Sequence, residues 1–79
     1  MTEFERAVLT VLARAVEPLG WYQIERRLSM MTLVERPSLL DVLVQLRQRG
    51  LVEDVAAAGE PKVRYALTVA GTIKLGAIR

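Results

Sequence analysis

The chain has 79 residues, enough for one domain whose core leaves little stability to spare. Apolar residues make up 52% and charged residues 25%, which excludes a disordered chain, and no apolar run approaches the length of a membrane span. Eleven Lys or Arg against nine Asp or Glu leave a net charge of +2, too small a surplus to imply nucleic acid by itself.

The sequence contains neither His nor Cys. The commonest acid–base group, the commonest metal ligand and the best thiol nucleophile are therefore missing, and disulfides are excluded. Gly20, Gly50, Gly59, Gly71 and Gly76 form no phosphate-binding loop. A non-enzyme without cofactor or metal is expected. The acidic start, Met-Thr-Glu-Phe-Glu, carries no signal-peptide pattern, so a cytoplasmic protein that does not engage membranes is expected.

Thr2 followed by Glu5 fits a capping box, and Phe4, Val8, Val11, Leu12 and Ala15 recur at helical spacing. The spacing predicts a first helix over 3–16, ended by Pro18. Leu9 and Val16 lie beside the main apolar stripe and either widen the core face or meet a partner. Leu19-Gly20-Trp21 is a short extended link. A second helix is predicted over 21–29, with Ile24 and Leu28 one turn apart and Gln23, Arg26 and Arg27 in solvent. Residues 29–37 are irregular. Met30, Met31, Leu33 and Val34 within them are expected to plug the core.

The third helix is predicted over 38–49, capped by Ser38, with Leu39, Val42, Leu43 and Leu46 as its apolar face. Gly50 suits the left-handed position after the helix, and Leu51 is placed to close back on Leu46. Arg47 and Arg49 lie in the last turn, where the helix dipole favours cations. Leu51 to Ala56 is a strand candidate, Ala57 to Pro61 a turn, and Lys62 to Thr68 a second strand with Val63, Tyr65 and Leu67 on one side. Thr68 is positioned to cap a short last helix through Ile73 and Leu75, weakened by Gly71 and Gly76.

The stretch LLDVLVQLRQRGLVED, residues 39–54, is similar to the third helix and first wing strand of the winged-helix superfamily, at Leu43, Leu46, Gly50, Leu51 and Val52. RYALTVAG, residues 64–71, resembles the end of the wing, and WYQI, residues 21–24, looks like the start of helix 2 in PadR-like and MarR-like regulators. The resemblance covers nearly the whole chain. It implies an α+β winged helix-turn-helix: a single domain over 1–79 with a three-helix core, a two-stranded wing and a short C-terminal helix.

The implied function is a dimeric DNA-binding transcriptional regulator, with helix 3 in the major groove and the wing on the backbone. The candidate DNA contacts are Arg26, Arg27, Arg36, Gln45, Arg47, Gln48, Lys62 and Arg64. Helix geometry turns Asp41, Val44, Gln45 and Gln48 outward, with Leu40 on the flank. An acid and an apolar residue are unusual on a base-reading face, and PadR-like proteins carry Tyr-Pro where this chain has Leu40-Asp41. The alternative function is therefore a protein–protein module using Leu40 and Val44, with Met30, Met31 and Leu33 beside them. The candidate dimer or partner contacts are Leu9, Val16, Leu40, Val44, Ile73 and Ile78, with the first and last helices as the expected dimer interface.

Overall fold

The computed structural model describes residues 1–56, 59 and 62–77. Helix α1 spans Glu3–Arg14, α2 Trp21–Leu28 and α3 Leu39–Gln48; strands β1 (Val52–Val55) and β2 (Arg64–Leu67) follow, then α4 (Val69–Ala77). The strands pair antiparallel, with Val52 opposite Leu67, Glu53 opposite Ala66, Asp54 opposite Tyr65 and Val55 opposite Arg64. This is the α+β arrangement expected from the sequence: three helices, a wing and a closing helix.

The capping box forms as expected at the start of α1. The Glu5 N–H donates to Thr2 Oγ1 at 3.1 Å, and the Thr2 N–H donates to Glu5 Oε1 at 2.9 Å. The helix ends two residues earlier than its periodicity suggests. Ala15 is already extended, and this releases the chain so that Leu19 reaches the wing. There Leu19 and Tyr65 exchange two backbone hydrogen bonds, at 3.0 and 2.7 Å, making the link a third, one-residue rung of the sheet.

One core joins the layers. Phe4, Val8, Val11 and Leu12 of α1 meet Ile24 and Leu28 of α2, and Leu39, Val42, Leu43 and Leu46 of α3 complete it with Leu51 and Val52. Burying each large side chain contributes roughly 1.5–3 kcal/mol. Leu9, expected as a spare residue for a partner, is 0% exposed. It widens the α1 core face and is removed from the candidate contacts.

The 29–38 connector divides. Met31 and Leu33 pack against the core as expected, whereas Met30 and Val34 stay 88% and 89% exposed. What holds this segment is polar. Arg36 Nη2 donates to the Met31 and Leu28 carbonyls at 2.7 and 3.3 Å, which closes the carbonyl end of α2. Glu3 Oε1 accepts from the Val34 N–H at 3.1 Å.

The α3-to-wing joint is the most determined part of the chain. Gly50 adopts φ +75°, its N–H donates to Arg47 O at 2.9 Å, and the Leu51 N–H donates to Leu46 O at 3.0 Å. These are the two bonds of a Schellman closure. Thr68 then ties three elements together: its hydroxyl donates to Gly50 O at 2.7 Å and accepts from the Gly71 N–H at 2.9 Å, while its own N–H donates to Leu51 O at 3.1 Å. Gly71, expected only as a weak spot in α4, is required there. A Cβ at this position would collide with the Leu51 carbonyl oxygen and crowd Leu67.

β2 departs from the expected alternation, because all four of its residues are half-buried. Both of its edges are paired, with β1 on one side and Leu19 on the other, and α1 and α4 pack against it, so no side of the strand is fully solvated. Among the described residues no helix is long and apolar enough to cross a membrane.

Candidate nucleic-acid interface

The candidate contacts expected from the sequence centre on the outer side of α3, with others on α2 and the wing. On α3 the inner residues are buried, and Leu40, Asp41, Val44, Gln45, Arg47 and Gln48 are all exposed, as helix geometry predicts. Ser38 caps the helix through the Asp41 N–H at 3.5 Å. Gln45 and Gln48 lie one turn apart and are free to present amides to base edges.

The candidate cations fall into two groups. Arg36, Arg47 and Arg64 are engaged within the domain. Arg36 closes the end of α2, as described above. Arg47 Nη1 meets Asp54 Oδ2 on β1 at 2.7 Å. Arg64 is half-buried and donates to the Pro18 carbonyl at 3.5 Å. Arg36 Nη2 is turned to main-chain carbonyls, a part in the fold beside the one expected of it, and the residue stays exposed. Arg26, Arg27 and Lys62 remain on the surface. Arg26 lies over the Tyr22 ring, 6.0 Å from its centroid, and Tyr22 meets Trp21 edge to face.

The two flanks of α3 differ in charge. On the wing side stands the Arg47–Asp54 pair. On the other side a cleft of about 590 Å³ separates α3 from the start of α1, lined by Glu3, Glu5, Glu35 and Asp41 around Phe4, Val34, Pro37 and Val42. Arg49 enters this neighbourhood, and its Nη1 meets Glu5 Oε2 at 3.0 Å. Glu5 is held ionised below its ordinary range, first by the Thr2 backbone N–H and then by Arg49, against the opposing effect of its burial. The first turn of α3 therefore borders negative potential, which opposes the approach of phosphate from that side.

Sequence reasoning missed both ion pairs of α3. Arg47 and Asp54 are seven residues apart with the Gly50 reversal between them, and that reversal folds β1 back beside the last turn of the helix. The pairing was legible in principle from Gly50. The Glu5–Arg49 pair, which links residues 44 apart in sequence, was not.

Of the candidate partner contacts, Leu40 and Val44 are 50% and 41% exposed, and Val16 and Ile73 are also open. Val69 on α4 is exposed as well and was not among the expected residues. Ile78, and all of the 57–61 turn except Gly59, lie outside the described residues. Gly59 has φ +80°, in keeping with a turn.

Helices, wing and closing helix together define a winged helix-turn-helix fold of the PadR-like and MarR-like kind. No protein-family model matches the chain, and no curated protein matches it in sequence. Solved structures do match it. A variant of S. aureus MepR superposes with a TM-score of 0.82 at 20% identity, over 98% of this chain and 54% of that one. A PadR family transcription regulator from Clostridium difficile gives 0.80 at 12% identity, over 98% of this chain and 83% of that one. The PcaV transcriptional regulator from Streptomyces coelicolor, solved with its natural ligand, gives 0.78 at 23% identity, over 96% and 51%. This chain thus spans about half the length of PcaV and MepR.

Proposed function

We propose that this chain is the DNA-binding winged helix of a cytoplasmic, non-enzymatic transcriptional regulator that acts as a homodimer, with α3 in the major groove and the wing along the backbone. The observation that carries this reading is the superposition of nearly the whole chain on PcaV and on a PadR family regulator, both transcriptional regulators. The surface chemistry fits. Gln45 and Gln48 are exposed on the outer face of α3. Arg26, Arg27 and Lys62 lie exposed on α2 and the wing, where phosphate contacts would position the domain. A single module reads few bases, so two copies are needed for a specific site. Exposed Val16, Val69 and Ile73 are the surface assigned to that association.

A titration with mixed-sequence duplexes at low salt tests the reading. Binding is expected, weakening steeply with salt. Lys62→Ala should weaken binding to every sequence, whereas Gln45→Ala and Gln48→Ala should reduce discrimination between sequences. Absence of binding at low salt removes the DNA function.

A second reading has its own observation. Leu40 and Val44 form an exposed apolar pair beside an acidic cleft, and neither feature helps a base-reading helix. If α3 docks on a protein instead, Val44→Glu abolishes that association while leaving any α4 dimer intact. Light scattering of the two forms separates the cases.

A further inference from the structure

We infer that Asp54 on the wing acts as a competitor for Arg47, restraining the contact of the third helix with nucleic-acid phosphate. This rests on the DNA-binding reading above and adds to it a residue that lowers affinity. Arg47 belongs to the last turn of α3 and projects from the flank that faces the wing; Asp54 projects from β1 toward it, and their charged atoms meet at 2.7 Å. Both side chains are more than a third exposed, so the pair sits at the surface, where a polymer would lie against α3 and the wing together.

A carboxylate and a phosphate offer the same oxygen geometry to a guanidinium. Binding therefore requires Arg47 to exchange one anion for the other. After the exchange Asp54 retains its charge close to the incoming phosphate, with no other side-chain partner among the described residues. The net gain from Arg47 is reduced twice, by the bond it gives up and by the repulsion that remains. Arg49, the other cation at this end of α3, is already committed to Glu5. Arg47 is thus the cation through which α3 itself can answer a phosphate, and Asp54 sets how strongly it does so.

The neighbouring acid provides the control. Glu53 is adjacent on β1 and exposed, carries the same charge, and by strand alternation points to the opposite face. Removing it changes net charge equally without releasing Arg47.

The test is a double-mutant cycle read by titration of the full chain with a mixed-sequence duplex at several salt concentrations. Asp54→Asn is expected to tighten binding about two- to fivefold, the span of an exposed ion pair, and to steepen the salt dependence by about one phosphate. In an Arg47→Gln background the same substitution should tighten binding clearly less, because only the repulsion of phosphate is then relieved, and Glu53→Gln should have a small effect in both backgrounds. Asp54→Glu should restore much of the restraint. Equal thermal melts for the wild type and Asp54→Asn exclude a folding effect. If Asp54→Asn has no effect, or tightens binding equally with and without Arg47, the inference is overturned while the DNA-binding reading stands. If neither the wild type nor any variant binds a duplex at low salt, both fall.

Discussion

The α3-to-wing joint and the α2-to-α3 connector each reverse the chain between elements, and they do so by different means. In the joint, main-chain geometry decides: a positive φ at Gly50, two Schellman bonds, and Thr68 bridging Gly50, Leu51 and Gly71. In the connector, two charged side chains reach main-chain groups, Arg36 at the end of α2 and Glu3 at Val34, while Met30 and Val34 remain in water. Each of the joint's bonds lies within a few residues of a helix end. The connector depends on long side chains whose ordering costs entropy. A wing that must keep a fixed angle to α3 needs the first kind of connection.

The largest expected effect lies at the joint's root. Leu46→Ala removes a fully buried side chain under the Schellman closure and should lower stability by about 2–5 kcal/mol in denaturant unfolding. A loss below about 1 kcal/mol would mean that the joint is not anchored by the core.

Two glycines of α4 give the next contrast. Gly71→Ala forces a methyl group against the Leu51 carbonyl and should cost about 1–3 kcal/mol through overpacking. Gly76→Ala, in the same helix, meets nothing within 4 Å and should instead stabilise by up to about 1 kcal/mol. Thermal melts of the pair decide whether close approach or helix propensity governs α4. Shifts of the same sign would erase the distinction.

Glu5 ties the start of α1 to Arg49 beside the joint. Its folded pKa lies below the ordinary value of 4.5, so its contribution is complete above that pH and fades as pH falls through the lower folded value. Glu5→Gln should lower Tm at neutral pH, and its gap from the wild type should narrow below about pH 4.5. A gap that stays constant with pH would show that the charge is not what matters.

The smallest effects belong to the connector. Met30→Ser and Val34→Ser should each change stability by less than about 0.5 kcal/mol, because both side chains are already in water. A substantial loss from either would show that the segment closes over them, making the connector resemble the joint.

The helices were legible from periodicity, because a buried stripe must repeat every three to four residues on α1, α2 and α3. Gly50 and Thr68 were legible for a local reason: a helix end needs a left-handed residue or a side-chain acceptor within a turn. These signals act over a few positions, so the amino-acid order alone contains them. The same order suggested a base-reading face at Gln45 and Gln48 and left its charge balance open.

Only the tertiary structure decided which apolar and charged residues were already in use. Leu9 looked spare until α1 was enclosed, and Gly71 looked like a defect until Leu51 came against it. Arg36, Arg47 and Arg64 looked alike as surface cations until each found an oxygen within the domain. Burial and charge pairing depend on what lies opposite a residue in space, and the partners of Gly71, Arg49 and Arg64 are 20 or more positions away in sequence. No periodicity in one segment reports on a partner in another.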